Sequence, residues 1–245
     1  MPLALIHARY HLLEIIRVPV AVVGSAFFPA ASMLFFVVPF AGDDPVGATY
    51  ATAAMVTFAV MTANIFQYGV GVSEDRDQPW NPYTRTLPTG PAPRLAGRIL
   101  AGVVLTYVSM IPVVVIAAVA TDARVNAVQF LLGLGAVAVV SVPFTLLGLA
   151  IGYSLPSKAA IVVAQVIFFP LAFGGGLLSG PDDAPGFIKA IAPYLPTRGA
   201  VELIWAAVTD FRPDTRALVM LVVWVLVLAA LAGWAYRRDE GRRFS

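Results

Sequence analysis

The sequence lacks cysteine and contains few charged residues. Without cysteine among its 245 residues, the chain can form neither a disulfide bond nor a catalytic thiolate. Charged residues make up 12 % of the chain, compared with about a quarter in ordinary globular proteins. The formal net charge of +2 is too small to indicate a nucleic-acid partner, and the 59 % of hydrophobic residues indicate a lipid environment instead.

Charged residues are absent from six long stretches of the chain. Each stretch reaches the length of about 20 residues that an α-helix needs to cross about 30 Å of hydrocarbon. We therefore expect an all-α membrane protein with six transmembrane helices in one domain, 1–245. The six stretches are 20–40, 50–72, 99–120, 126–154, 159–179 and 217–236.

The basic residues predict the orientation of the chain. With both termini in the cytoplasm, the cytoplasmic segments hold eleven lysine and arginine residues, and the external segments hold five. This excess follows the positive-inside rule. It predicts a multi-pass protein with a cytoplasmic N-terminus and a cytoplasmic tail, 237–245.

The first segment, 1–18, is predicted to form an amphipathic helix. At about 100° per residue, Leu5 and Leu12 fall on one half of the helix, whereas His7 and Glu14 fall on the other half. Such a helix is typical of segments that lie in the membrane interface. We therefore expect an interfacial helix on the inner leaflet.

The loop 73–98, between the second and third spans, carries the main polar motif. It begins with the acidic–basic run Glu74-Asp75-Arg76-Asp77. Beyond this run, one apolar stripe recurs at helical spacing on a short predicted helix, formed by Trp80, Tyr83 and Leu87. The stripe needs a surface that buries it, which is the ends of this protein's own helices, the membrane interface or a groove in a soluble partner.

Two devices that drive transport are missing from the sequence. No acidic, basic or histidine residue lies inside a predicted span, whereas proton- and ion-coupled transporters use intramembrane carboxylates, histidines or unwound ion sites. No Gly-Lys dipeptide occurs, so the chain has no P-loop for ATP. We therefore expect a chain that is not an enzyme, has no catalytic residues and receives its energy from another subunit.

Further motifs follow the acidic–basic run in a recognisable order. They are Thr86-Leu87-Pro88, Ala96-Gly97-Arg98, Phe168-Phe169-Pro170-Leu171-Ala172-Phe173-Gly174-Gly175-Gly176-Leu177, and Pro193-Tyr194-Leu195-Pro196 followed by Glu202. Together with the N-terminal helix and the six spans, this order resembles the type-2 ABC transporter permeases, the ABC-2 family of membrane subunits in bacterial drug, lipid and polysaccharide exporters. One departure is the run Pro79-Trp80-Asn81-Pro82, where that family usually has Gly-Thr.

The resemblance implies partners for this chain. It implies a cytoplasmic ABC ATPase, in two copies per transporter, that grips a short coupling helix in the loop and holds the ATP and Mg. This chain itself is expected to bind no cofactor and no metal. A second permease chain, identical or homologous, would complete a dimer in the cell inner (plasma) membrane. The residues expected to couple to the ATPase are Glu74, Asp75, Arg76, Asp77, Trp80, Tyr83, Arg85 and Leu87.

The segment 180–216, between the fifth and sixth spans, is predicted to lie outside. Its parts 187–192 and 200–208 are apolar and are separated by prolines. This pattern favours two short helices that dip into the outer leaflet, and an amphipathic surface loop is the alternative. The resemblance implies a re-entrant helical hairpin that acts as an outer gate. The gate residues would be Gly174, Gly175, Gly176, Arg198 and Glu202.

Aromatic and amide side chains of the first, second and fifth spans are candidates for the substrate path at the dimer interface. An amide buried without a partner in hydrocarbon costs about 2–7 kcal/mol, which favours a lining position for such groups. An uncharged aromatic lining suits a hydrophobic or amphipathic cargo, a drug or a lipid, as in multidrug efflux and antibiotic resistance; a polysaccharide or glycolipid is the alternative. The candidates are Phe27, Phe28, Phe35, Phe36, Asn64, Gln67, Gln165, Phe168, Phe169 and Phe173.

A different class of protein also fits part of the sequence. An intramembrane prenyltransferase of the UbiA type would use Asn64, Asp75, Asp77, Arg85, Pro88 and Gly90 with a second acidic pair, Asp210 and Asp214. The predicted topology places the two acidic pairs on opposite sides of the membrane, where they cannot share a Mg-bound diphosphate. A structural assembly subunit of a larger membrane complex is the third alternative.

Overall fold

The computed structural model describes residues 3–17, 19–79, 92–181 and 184–241, and every regular element among them is helical. The all-α class is therefore confirmed. A π-helical stretch, Met33–Val37, joins α2 to α3, and a 3-10 turn, Ala192–Tyr194, follows α8. The α-helices are α1 (Leu3–Ile16), α2 (Pro19–Ser32), α3 (Val38–Ala41), α4 (Pro45–Asp77), α5 (Ala92–Ala120), α6 (Ala127–Ser154), α7 (Ser157–Gly174), α8 (Gly186–Ile191), α9 (Pro196–Val208) and α10 (Thr215–Gly241).

Five of the described helices are long and apolar enough to cross a membrane, namely α4, α5, α6, α7 and α10. They correspond to the second to sixth predicted spans. The first predicted span corresponds to α2, the π-helical stretch and α3, which continue into one another. The part of this region whose side chains the structure describes, Ala26–Ala41, is an apolar helix shorter than the other five helices. The six-span layout therefore stays a prediction.

Helix α4 is the centre of the bundle. Of its most apolar 18 residues, 72 % are buried, compared with 22–33 % of the corresponding residues in the other four long helices. Small side chains such as Ala59 and Ala63 allow α5, α6, α7 and α9 to pack around it. The helix begins at Asp44, whose carboxylate accepts hydrogen bonds from the backbone nitrogens of Val46 (3.1 Å) and Gly47 (3.0 Å).

Helices α4 and α6 touch through their backbones. A Cβ atom on Gly148 would lie 2.7 Å from the carbonyl oxygen of Asn64, and one on Gly152 would lie 2.4 Å from that of Tyr68. These distances are shorter than a side chain allows, so the two helices approach each other only because both positions are glycine. The contact fixes α6 against the half of α4 that ends at Asp77.

Different helix ends and connecting segments meet at the two ends of the bundle. The backbone nitrogen of Asp122 donates to the carbonyl of Gly42 (2.7 Å), and that of Arg124 donates to the hydroxyl of Thr49 (3.1 Å). We call this the Gly42 end. The opposite end of α4, the Asp77 end, contacts the start of α5, the α6–α7 turn and the end of α10. The connections between successive helices thus alternate between the two ends, in agreement with the predicted order of spans. Which end faces the cytoplasm stays a prediction.

Helix α1 lies against the beginning of α5. A Cβ on Gly97 would lie 2.5 Å from the Cβ of His7 and 3.0 Å from the backbone nitrogen of Ala8. His7 is therefore half-buried, whereas Leu5 and Leu13 are exposed. The polar half predicted for α1 partly faces the protein, because close packing at Gly97 turns it inward. Its exposed leucines are available to lipid, and the interfacial position stays a prediction.

The contact between α4 and α6 can be tested with one methyl group. Gly152→Ala places a Cβ 2.4 Å from a backbone oxygen, which can move only if the helices separate. We expect a loss of about 1–3 kcal/mol in the free energy of unfolding, seen as a lower melting temperature in detergent. The matched control is Gly135→Ala in the same helix, which has nothing within 4 Å of its Cβ. It should gain up to about 1 kcal/mol from helix propensity, and equal melting temperatures of the two variants would contradict a backbone contact at Gly152.

Candidate functional site

The loop predicted to meet an ATPase is described only at its two ends. The described part stops at Pro79 and resumes at Ala92. The acidic–basic run forms the last turn of α4, at the Asp77 end. Four of the predicted coupling residues lie outside the described residues: Trp80, Tyr83, Arg85 and Leu87.

Asp75 pairs with the beginning of α5. Its Oδ2 atom forms an ion pair with Nη2 of Arg98. The side chains are 33 % and 13 % exposed, so the pair is less screened than one on an open surface. Because Asp75 lies near the beginning of the loop 73–98 and Arg98 is its last residue, the ion pair joins the two ends of the loop.

Arg76 connects α4 with α10 and with the end of α6. Its Nε and Nη2 atoms donate to Oδ1 of Asp239, at 3.0 Å and 2.6 Å. Its Nη1 donates to the backbone oxygens of Gly152 (2.7 Å) and Leu155 (3.1 Å). The last carbonyls of a helix lack partners within the helix and carry partial negative charge, so a guanidinium stabilises them.

Asp77 contacts the beginning of α7. Its Oδ2 accepts a hydrogen bond from the backbone nitrogen of Ser157 (3.1 Å). Pro156 precedes α7 and provides no side-chain cap, so the carboxylate from α4 performs the role of an N-cap. Glu74 makes no such contact among the described residues and is exposed. Three of the four residues in the run therefore contact other helices of their own chain. We call the charged residues that make these contacts the ionic cluster: Asp75, Arg76, Asp77, Arg98 and Asp239.

Asn64 lies inside the bundle. Its Nδ2 donates to the hydroxyl of Thr106 in α5 (3.0 Å), and its Oδ1 accepts from the hydroxyl of Thr145 in α6 (2.8 Å). The residue is 2 % exposed. The amide that was a candidate for the substrate path instead joins three helices of one chain, and this pairing removes the cost of burying it.

The two glutamines on the candidate path differ in burial. Gln67 is half-buried, and its Nε2 is buried without a hydrogen-bond partner among the described residues. Gln165 is exposed on α7. Of the three amides on the predicted path, only Gln165 therefore offers its side chain to a partner or cargo at the surface of this chain.

The candidate phenylalanines fall on two exposed surfaces and in the core. Phe168 is 4 % exposed and packs edge-on against Phe58. The others are 46–71 % exposed. They lie on α2 and the π-helical stretch, which pack against α4 and α5, and on α7, which packs against α4 and α6. These exposed residues are Phe27, Phe28, Phe35, Phe36, Phe169 and Phe173.

The three consecutive glycines end α7 at the Gly42 end. Gly174 is the last helical residue, and Gly176 has a φ of +76°, a left-handed conformation that favours glycine. A Cβ on Gly175 would lie 2.5 Å from the Cβ of Thr197. The glycines therefore allow both the reversal of the chain and the close approach of α9.

The predicted pair between Arg198 and Glu202 forms within α9. Nε of Arg198 lies 2.5 Å from Oε1 of Glu202, and the side chains are 13 % and 3 % exposed. The second carboxylate oxygen accepts from the backbone nitrogen of Asp214 (2.7 Å). The guanidinium lies 5.1 Å above the Trp205 ring. The carboxylate thus ties α9 to the beginning of α10.

Helix α9 packs among the long helices. Trp205 is fully buried, and its Nε1 donates to the carbonyl of Tyr50 in α4 (2.9 Å). The rings of Tyr50, Trp205 and Phe211 stack edge to face, with centroids 5.3–6.1 Å apart. An exposed surface loop does not describe this helix, since α4, α6 and α10 cover it. Its depth in a bilayer stays a prediction.

The acidic residues required for a prenyltransferase are separated. Asp75 pairs with Arg98 at the Asp77 end, whereas Asp214 contacts Glu202 at the Gly42 end. Among the described residues, no group of three or more histidine, aspartate or glutamate side chains could hold a metal ion. The two acidic pairs therefore do not form one diphosphate site.

Several residues that join the helices were not selected from the sequence. Asp239, Thr106 and Thr145 are each far from their partners along the chain, so no local spacing connects them. A weak signal existed for Asp239, which follows two arginines and precedes Glu240 in a tail that is mainly basic. Trp205 carried a signal of its own, because a buried indole nitrogen requires an acceptor.

Comparison with known proteins agrees with the motifs. The family model described as ABC-2 type transporter matches residues 4–209 of this chain. The chain is also similar to a protein of Bacillus subtilis (strain 168) named "Putative transport permease YvfS". The two are 21 % identical over 187 residues, which is 76 % of this chain and 76 % of that protein. The family match extends from α1 to the end of α9, and the resemblance derived from the sequence is confirmed.

The buried pair at the Gly42 end can be tested by truncation. Glu202→Ala leaves Arg198 without its carboxylate and the backbone nitrogen of Asp214 without its acceptor. We expect a loss of about 3 kcal/mol in the free energy of unfolding, measured by thermal unfolding in detergent. Glu202→Gln should lose less, because its amide oxygen can still accept from Asp214. The control Asp210→Ala, at an exposed position, should stay within about 0.5 kcal/mol. An equal effect of both alanine variants would contradict this assignment.

Proposed function

The chain belongs to the ABC-2 type transporter family, and we propose that it is the permease subunit of an ATP-driven exporter. In this proposal it moves a hydrophobic or amphipathic cargo, a drug or a lipid-like molecule, out of the cell. It does so by alternating between inward-open and outward-open states. The observation that carries the proposal is the ionic cluster, which ties the end of α4 to α5, α6, α7 and α10.

The energy source in this proposal is a separate ABC ATPase that binds the loop following α4. Charged side chains of the five long helices lie near the helix ends, and the sequence has no P-loop, so the chain offers no site for driving transport by itself. Closure of two ATPases on ATP would push two such loops. The ionic cluster would then pass the displacement into the membrane helices.

The pathway is proposed to form between two permease chains, identical or homologous. The exposed phenylalanines on α2 and α7 would face each other across a two-fold interface. They would line a cavity without charge, which suits a large apolar cargo. In such a cavity the cargo would need no polar binding group other than amides such as Gln165.

The proposed placement puts the Asp77 end in the cytoplasm and the Gly42 end outside the inner membrane. The excess of basic residues at the Asp77 end supports this orientation. Helix α1 would then lie on the inner leaflet. The segment that contains α8 and α9 would form a re-entrant outer gate, held by Arg198 and Glu202.

The proposal is tested by purification and reconstitution. A tagged chain should retain an ABC ATPase in mild detergent, and the pair should move a fluorescent phospholipid or a hydrophobic dye in vesicles only with ATP. The variant Trp80→Ala/Tyr83→Ala should lower ATPase retention at least about tenfold, because aromatic anchors of an interface are worth about 2 kcal/mol or more.

The control for this experiment is Phe187→Ala, an exposed aromatic residue on α8. It should retain the ATPase as the unaltered chain does. Export by the permease alone, without any ATPase, would refute the proposal. Retention and export that are both unaffected by the double variant would remove the loop from the ATPase contact.

A further inference from the structure

The ionic cluster holds the short turn between α6 and α7 from both sides. Nη1 of Arg76 donates to the carbonyl of Leu155 (3.1 Å), and the carboxylate of the next residue, Asp77, accepts from the backbone nitrogen of Ser157 (3.1 Å). Between these two contacts lies Pro156, whose ring fixes its φ angle. Two neighbouring side chains of α4 therefore hold the turn as one stiff unit.

Arg76 holds α10 with the same guanidinium. Nε and Nη2 donate to Asp239, while Nη1 donates to Gly152 and Leu155. The side chains of Arg76 and Asp239 are 18 % and 5 % exposed, so water and salt screen the pair little. The planar guanidinium presents its donors in a fixed fork, which a lysine cannot reproduce.

The end of α10 is oriented by this pair. Asp239 is buried toward α4, and the hydroxyl of Tyr236 donates to Glu240 (2.7 Å), whereas Arg237 and Arg238 are exposed. A buried carboxylate is stable only with its partner. A displacement of Arg76 must therefore either carry the end of α10 with it or break a buried ion pair.

Glu74 differs from the rest of the acidic–basic run. It is exposed, whereas Asp75, Arg76 and Asp77 have partners on other helices of the chain. The run therefore contains one residue that makes no contact with another described helix and three that do.

We infer that Arg76 is a positioning residue for coupling, which transmits a displacement of the end of α4 to α7 and α10 without contacting the ATPase. The inference rests on the proposed function and assigns a separate step within it. Helix α7 carries the exposed Phe169 and Phe173 of the proposed path. The route thus has two steps, from α4 to the α6–α7 turn and from that turn to the path.

The test compares Arg76→Gln with Glu74→Gln in the complete permease–ATPase complex in lipid nanodiscs. Retention of the ATPase measures docking. The rate at which a maleimide labels Ser179→Cys, near the Gly42 end, measures movement with and without ATP and vanadate. Because the natural chain has no cysteine, this reporter is the single thiol of this chain. We expect Arg76→Gln to retain the ATPase and to lose the ATP-dependent change in labelling rate, while Glu74→Gln weakens retention.

Matched variants separate coupling from general damage. Arg76→Lys should restore the ATP-dependent change only in part, because the charge returns without the fork. Arg237→Gln removes an exposed arginine from the end of α10 and should alter neither measurement. Asp77→Ala changes an exposed side chain and provides the test if Arg76→Gln does not fold. It should reduce the ATP-dependent change while docking remains.

The outcomes distinguish the inference from the proposed function. Loss of ATPase retention in Arg76→Gln would make Arg76 a docking residue and overturn the inference, while the proposed function would stand. The inference would also be overturned if ATP changed the labelling rate in both Arg76→Gln and Asp77→Ala as much as in the unaltered chain. An unaltered chain that retains no ATPase would overturn the proposed function, and the inference with it.

Discussion

The structure depends on the cost of burying a polar group in a membrane bundle without a partner, a rule to which Nε2 of Gln67 is an exception among the described residues. Helix α4 meets this rule at three levels. At the Asp77 end, Arg76 binds a carboxylate and two carbonyls; in the middle, Asn64 binds the hydroxyl of Thr106; at the Gly42 end, the indole of Trp205 binds the carbonyl of Tyr50. Each bond joins α4 to another helix. The groups that cost most to bury therefore also determine which helices are neighbours.

The spans could be predicted because they follow from a local property. A helix in lipid satisfies its own backbone, so long stretches without charge were enough to locate α4, α5, α6, α7 and α10. The direction in which a side chain faces could not be predicted in this way. Phe168 and Phe169 are adjacent and chemically identical, yet one is 4 % exposed and the other 46 %. The difference follows from the rotation of α7 about its own axis. This rotation is determined by the packing of Phe168 against Phe58 of α4.

The sequence predicted where the charged residues of the site lie along the chain, but not whether their side chains face a partner or other helices of the same chain. Alternating charges at the end of a span are compatible with a docking surface and with an internal contact, and the sequence does not distinguish them. Asp239 lies 163 residues after Arg76, so only the folded bundle brings them together. The opposite holds for Arg198 and Glu202, which are four residues apart on one helix. Their spacing alone predicted the pair that forms.

The packing of α4 limits how the bundle can move. Its 33 residues extend over about 50 Å, from the ionic cluster at one end to α9 at the other. Backbone contact at Gly148 and Gly152 leaves no space for side chains between α4 and α6, and the atoms there interlock, which resists sliding. A push at the Asp77 end is therefore expected to tilt α4 and α6 together. Because Trp205 is bound to Tyr50, such a tilt would also displace α9 in the proposed exporter.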